Sequence, residues 1–174
     1  LGAKGLHKEA KPLQRRALAI DELHYGPEST EVATRLNNLA QTLQVTNRLA
    51  DAEPLIRRAL AIDEQALGKD HPNVARDLNT LAMVLHAMHR QAEAEPLIRR
   101  ALAIDEEFFG AEHPNVARDL STLALLLQAT NRQAEAGTLM RRALAIDERF
   151  HGTEHPTVAT RLNDLAFLLL DMNR

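Results

Sequence analysis

The sequence contains no cysteine and no tryptophan, and aromatic residues make up only 3% of its 174 positions. The absence of cysteine excludes disulfides, thiol catalysis and cysteine-based zinc sites. So few aromatic rings leave single-stranded nucleic acid without stacking platforms. A net charge of −3 also provides no concentrated basic surface for nucleic acid or acidic membranes. The longest apolar run, residues 165–170, is far shorter than a membrane-spanning helix.

A long exact repeat dominates what the sequence does contain. The octapeptide Arg-Arg-Ala-Leu-Ala-Ile-Asp-Glu occurs without change at 15–22, 57–64, 99–106 and 141–148, so each copy starts 42 residues after the previous one. A Gly-x-x-His-Pro sequence recurs with the same period from residue 68 onwards. A fixed period of this length indicates a solenoid of stacked repeats. Such an architecture offers an extended surface more often than a catalytic pocket.

Each repeat is predicted to contain two helices. In residues 71–110 the first helix runs from about residue 73 to 88, after Pro72, whose fixed φ suits the first helical position. The second helix runs from about 92 to 108, and Gly110 is expected to end it as a left-handed cap. Pro54 and Pro96 lie early in the second helices. The apolar positions of the first helix have the 3.6-residue period of a buried face: Leu78, Leu81, Ala82 and Leu85.

The charges of the octapeptide allow two interpretations. The arginines at its start and the Asp-Glu pair at its end are compatible with a solvated helix face. Alternatively, they pair between neighbouring repeats and fix the stacking angle, although exposed ion pairs contribute at most about 1 kcal/mol each.

This pattern resembles the tetratricopeptide repeat, in which small residues lie where two antiparallel helices approach most closely. The positions that carry the resemblance are Leu78, Leu81, Ala82, Leu85, Ala94, Ile98 and Ala101. The period of 42 residues exceeds the commoner value of about 34, and this length is similar to that of the kinesin light chain subclass and its prokaryotic relatives. That subclass often has tyrosine where this chain has Leu43, Leu85, Leu127 and Leu169, so no particular cargo transfers with the resemblance.

The resemblance implies an all-α, right-handed α-solenoid of antiparallel helix pairs with eight helices. We expect a single repeat array that comprises a half-repeat at 1–29, units at 30–71, 72–113 and 114–155, and a lone helix at 156–174. Because the sequence starts within a repeat and without methionine, we expect it to be a fragment of a longer array. A cytoplasmic location is the default expectation.

In tetratricopeptide solenoids the first helix of each pair lines the concave face, where relatives bind peptides through Asn, Arg or Lys. An amide both donates and accepts, which suits the backbone of an extended peptide, and an arginine can fork onto carboxylates. The resemblance to kinesin light chains therefore suggests an acidic linear segment as ligand. The alternative is that the same side chains are merely solvated or form hydrogen bonds between repeats. The candidate peptide-binding residues are Asn37, Gln41, Arg76, Asn79, Met83, His86, Arg118, Ser121, Leu125, Gln128, Asn163 and Phe167.

Neither a metal site nor a catalytic site is predicted. His71, His113 and His155 occupy the same turn in successive units, and two helix layers of about 8–10 Å each keep them too far apart to share an ion. His86 and His89 supply only two ligands. No phosphate loop, nucleophile elbow or metalloprotease motif is present. We therefore expect a non-enzymatic protein-interaction scaffold without a cofactor.

A second function class is self-association. The last helix has no second helix to cover it, so the stripe formed by Leu162, Leu165 and Leu169 is expected to be exposed and to seek a partner. Docking of the first helix of one copy on the last helix of another would extend the solenoid head to tail. The alternatives are that further repeats cover this face, or that the array is a spacer or the sensor portion of a larger signalling protein.

Overall fold

The computed structural model describes the backbone of residues 3–172 and the side chains of residues 12–171; the predicted limits at 1–2 and 173–174 lie outside this part. Within it the chain forms eight helices, as the sequence predicted. None of them is long and apolar enough to cross a membrane. The helices are α1 (Ala3–Tyr25), α2 (Thr30–Val45), α3 (Leu49–Leu67), α4 (Pro72–Ala87), α5 (Gln91–Phe109), α6 (Pro114–Ala129), α7 (Gln133–His151) and α8 (Pro156–Met172).

The first helix of each pair begins at a capped residue. Ser29 caps α2 by accepting a hydrogen bond from the backbone N–H of Val32. In later units a histidine takes this place: Nδ1 of His71 accepts from the N–H of Asn73 at 3.1 Å, and His113 and His155 are placed in the same way. A cap of this kind satisfies one of the free N–H groups in the first helical turn. The recurring histidine is therefore a helix start as well as a turn residue.

Two kinds of turn with positive φ connect the helices. Within each pair, Asn47, His89 and Asn131 have φ between 56° and 62°, the left-handed conformation that asparagine tolerates best after glycine. Between pairs, Gly110 has φ 86° and ψ 158°, so the predicted left-handed cap is wrong in its ψ angle. This region of positive φ with extended ψ is essentially restricted to glycine. The wider turn lets the chain leave α5 and enter the next unit three residues later.

The core consists of Leu, Ile, Val and Ala. The predicted stripe of α4 is buried throughout, and Ala94, Ile98 and Ala101 of α5 pack against it. Pro54 and Pro96 lie inside α3 and α5, as predicted. Because alanine occupies the closest approaches, helix axes come near each other and larger side chains interdigitate around them.

The last helix departs from the predicted exposed stripe. Leu165 is buried and Leu169 is half-buried, whereas Leu162 is exposed. The prediction that Leu165 is exposed is wrong because this residue packs towards the preceding repeat, whose α7 contacts α8. The side of α8 that would face its own second helix, marked by Leu162, remains open.

Candidate functional site

The first helices of successive units form the inner face of the solenoid. Besides the contacts between consecutive helices, α2 contacts α4 and α4 contacts α6. The predicted peptide-binding residues lie on these helices and on α8. The structure divides them into a buried group between the helices and an exposed group on the groove surface.

The asparagines of the inner face are buried. Asn37 donates from Nδ2 to Oδ1 of Asp77 at 2.6 Å, and Asn79 donates in the same way to Asp119 at 2.7 Å. Each bond joins one unit to the next, and Thr80 provides a second acceptor for Asn37. These side chains hold neighbouring first helices together, as the alternative interpretation of the sequence suggested.

The third unit breaks this pattern. Ser121 is buried but donates to the backbone carbonyl of Ala117 in its own helix, and the aspartate slot in the following unit is occupied by Arg161. Asn163, in the last unit, is exposed. Among the described residues, the hydrogen bond from an asparagine amide to the aspartate of the next unit is therefore present at two junctions and absent from the last. We call these two the inner junctions; they join units 30–71 and 72–113, and units 72–113 and 114–155.

The guanidinium groups of Arg76 and Arg118 donate hydrogen bonds to aspartates of the protein itself. Arg76 donates from Nε and Nη2 to Oδ1 of Asp77 at 3.0 and 2.9 Å, and from Nη2 to Oδ2 of Asp63 at 3.1 Å. Arg118 makes the equivalent contacts with Asp119 and Asp105. Each guanidinium thus bridges two aspartates of the same chain and does not hold one carboxylate through both of its oxygens.

Each inner junction consequently contains two buried carboxyl groups and one arginine. Asp77 lies within hydrogen-bonding reach of Asp63, and Asp63 Oδ1 and Asp77 Oδ2 accept no hydrogen bond from the described residues. Burial raises the pKa of Asp77 to about 6 despite the opposing charge of Arg76, and burial likewise raises that of Asp119 to about 7. Since two carboxylates at close range cannot easily both ionise, the pair is suited to sharing one proton.

The outer junctions have a simpler arrangement. Arg35 Nε lies 2.6 Å from Asp21 Oδ2, and Arg161 Nε lies 2.9 Å from Asp147 Oδ2. Here a single carboxylate meets a single arginine. The sequence signal was available, because Arg-Asp at 76–77 and 118–119 becomes Thr-Arg at 34–35 and 160–161. These aspartates were not among the residues predicted from the sequence.

From the second copy onwards, the second arginine of each octapeptide pairs with the glutamate of the preceding copy, which confirms the predicted pairing between repeats. Arg100 Nη1 donates to Glu64 Oε1 of the preceding octapeptide at 2.6 Å, and its Nη2 donates to the carbonyl of Lys69 at 2.8 Å. The equivalent contacts of Arg58 and Arg142 recur at the neighbouring junctions. The second arginine of the octapeptide therefore ties its helix to the second helix of the preceding repeat and to the turn that follows that helix.

The exposed group of predicted residues forms the groove surface. Gln41 is exposed, Met83 and Gln128 are half-buried, and Leu125 and Phe167 are exposed, with Phe167 at 64%. The surface thus changes from an amide at the N-terminal end to apolar groups at the C-terminal end. There a depression of about 310 Å³ is lined by Gln128, Phe167, Leu170 and Asp171.

His86 also lies on this surface, half-buried. Burial, together with the nearby His89, lowers its pKa, so the neutral imidazole predominates near pH 7. Among the described residues no group of three His, Asp or Glu side chains could hold a metal ion.

Comparisons with known proteins agree with this geometry. The chain matches the tetratricopeptide repeat over residues 1–65, 36–107 and 78–148. None of the curated proteins matches it. It is similar in structure to BtubC (BKLC) from P. vanneervenii, with a TM-score of 0.78 and 21% identity over 95% of this chain and 66% of that one. A putative kinesin light chain of Podosopora anserina, with nearly identical TPR-like repeats, gives 0.75 and 25% over 95% and 78%.

This chain thus spans just under two thirds of the length of BtubC. The similarity confirms the right-handed α-solenoid that the sequence predicted, and its structural neighbours are kinesin light chain-like repeat proteins. On these grounds, the chain belongs to the tetratricopeptide repeat family.

Proposed function

We propose that the groove binds an extended segment of another protein. The family generally serves as a scaffold for protein–protein interaction. The observation that carries the proposal is the exposure of Leu125 and Phe167 on the inner face, beside the amide of Gln128. Apolar anchors next to a few polar groups are the usual composition of a binding cleft. A rigid groove also lowers the ordering cost of binding.

An acidic ligand requires an exchange of partners. Each inner arginine is already shared by two carboxyl groups, so a ligand carboxylate has to displace Asp77 from Arg76 or Asp119 from Arg118. Protonation of the displaced aspartate favours the exchange, since a neutral carboxyl group competes less well for a guanidinium. Acidic segments should therefore bind more tightly at about pH 6 than at about pH 8.

The test is selection from a randomised peptide library by the wild type and by a Leu125→Ser/Phe167→Ser variant. Both side chains are exposed, so the helices should form in the variant. We expect enriched sequences with apolar or aromatic anchors that the variant does not retain. A Phe108→Ser/Phe150→Ser variant, which changes exposed rings outside the groove, is the matched control. Lack of enrichment over background would contradict the proposal.

The acidic preference is tested separately. Asn79→Ser, Arg118→Thr and Asp119→Arg together reproduce the arrangement of the last junction, so this variant has a precedent within the chain. Loss of acidic peptides but not of neutral ones would assign acid recognition to Arg118. Equal binding of both classes would leave a groove without acidic preference.

A second candidate is end-to-end self-association. Leu162 of α8 is 48% exposed, whereas the equivalent Leu36, Leu78 and Leu120 are fully buried under their second helices. A helix from a second copy can cover this face as α3, α5 and α7 cover theirs. Light scattering should then show a molar mass that rises with concentration and falls in Leu162→Ser. A strict monomer at high concentration would refute it. A cytoplasmic location remains an expectation.

A further inference from the structure

The aromatic side chains of this protein lie outside the core. All five Phe and Tyr residues are exposed. Phe167 lies in the groove, and the other four, Tyr25, Phe108, Phe109 and Phe150, lie at the C-terminal ends of second helices. Aromatic rings bury more apolar area than any aliphatic side chain. Because four of the five rings recur at one type of surface position, we ask whether they bind a partner.

The rings at these helix ends form a continuous row with histidines of the following turns. Phe109 stacks on His113 with centroids 4.2 Å apart and an interplanar angle of 12°. Phe150 continues the row at 6.1 Å from His113, and further edge-to-face and stacked contacts extend it at both ends. We call this row the aromatic edge; its members are Phe108, Phe109, His113, Phe150, His151 and His155.

Two rings of this row remain largely exposed. Phe109 is partly covered by His113, but Phe108 and Phe150 each expose 60% of their surface. They occupy the same position in successive repeats. A partner that spans one repeat can contact both faces at once.

Carboxylates accompany the aromatic edge. Asp70, Glu112 and Glu154 stand directly before the histidine of each turn, and all three are exposed. Arg149, itself 77% exposed, reaches Glu112 with Nη1 3.3 Å from Oε2. One guanidinium of this chain, that of Arg149, thus already pairs with a carboxylate of the edge.

We propose that the aromatic edge binds an arginine-containing segment of another protein. A guanidinium is attracted to the face of an exposed ring and forks onto a carboxylate, so Arg uses both features of this edge at the same time. Lysine, a compact and strongly hydrated charge, stacks less well. Phosphate-bearing and acidic ligands are repelled by the row of carboxylates. The aromatic edge lies at the turns between units and shares no residue with the groove.

Labelled peptides of alternating Arg and Ser, Lys and Ser, or Glu and Ser provide the probe. At about twelve residues, each is long enough when extended to span one repeat. Fluorescence anisotropy should rank the Arg peptide above the Lys peptide, with no binding of the Glu peptide. Phe108→Ser/Phe150→Ser should weaken Arg-peptide binding about tenfold, the equivalent of two lost contacts between a guanidinium and a ring.

Phe167→Ser is the matched control, since it removes an equally exposed ring that lies in the groove. It should leave Arg-peptide binding unchanged. Glu112→Gln/Glu154→Gln should weaken binding and reduce its salt dependence. Binding that the Phe108→Ser/Phe150→Ser variant retains, Arg and Lys peptides that bind equally, or no binding at low salt would each overturn the proposal. Circular dichroism of each variant confirms that a loss does not come from unfolding.

Discussion

Replacing Asp77 with asparagine should remove a pH dependence of stability that this protein owes to a buried carboxyl pair. In the wild type Oδ1 of Asp77 accepts from Asn37 and Arg76, while Oδ2 has no donor and Asp63 lies within reach. Asparagine at this position retains the first set of bonds through its own Oδ1. Its Nδ2 can donate to Asp63, as a protonated Asp77 would.

The sign follows from the raised pKa. The folded state holds the proton of Asp77 more tightly than the unfolded chain does, so the contribution to stability is fully present below about pH 4 and is lost as the pH rises through about 6. A pKa of about 6 in place of 3.8 corresponds to about 3 kcal/mol. Asp77→Asn should match the wild type near the acidic end of this window. Above it, the variant should be the more stable by up to about 3 kcal/mol.

Urea unfolding at several pH values between about 4 and 8 measures the difference between the two stability curves. Other groups titrate in both proteins, so their contributions cancel in this difference. Asp147→Asn is the control: Asp147 is also buried but meets Arg161 without a second carboxyl group. It should lose about 2 kcal/mol at about pH 8, where Asp77→Asn gains. A constant difference between the Asp77→Asn and wild-type curves would refute a shared proton.

Substitutions at Gly110, His113, Arg100 and Glu64 test the turns and the junctions by urea unfolding. Gly110→Ala should cost about 1–3 kcal/mol from backbone strain alone, because a Cβ there meets nothing within 4 Å; an unchanged stability would contradict the observed φ. His113→Ala should cost about 1 kcal/mol through loss of the cap, and His113→Ser should restore it as Ser29 does in the first unit; equal losses would exclude the cap. Arg100→Ala should cost about 1 kcal/mol, and the additional change Glu64→Gln should cost little more; additive losses would show that the two side chains act separately.

The repeat period, the eight helices and the apolar stripes could be predicted because each depends on residues that are close together in the sequence. The spacing of Leu78 and Leu85 predicts a buried helix face, and Pro72 indicates a helix start. Whether the side chain of Leu165 is buried depends on which of two adjacent faces of α8 packs on the preceding unit. That depends on the rotation of α8 relative to α7, which a stripe of similar leucines does not define.

The candidate site was less predictable for a different reason. Arg76 and Asn37 are polar residues on a helix side that the sequence suggests is open, and the same residues fit both a ligand site and an internal clamp. Their partners lie about one repeat away: Asn37 meets Asp77 after 40 residues. Only the spacing between stacked units decides whether such groups meet. The exposure of the Leu125 and Phe167 side chains is compatible with the prediction of a binding groove.

The polar side chains at the junctions also restrict which of the near-identical units can follow another. A unit with Asn79 in its first helix fits a following Asp119, and one with Ser121 fits a following Arg161. If recombination between the exact octapeptides exchanged these neighbours, an asparagine would face an arginine and a serine would leave a buried aspartate without its donor. Such a shuffled chain would retain every helix and every leucine stripe. It would still carry mismatched polar groups between its units, so duplication of this gene segment is constrained by the side chains across each junction.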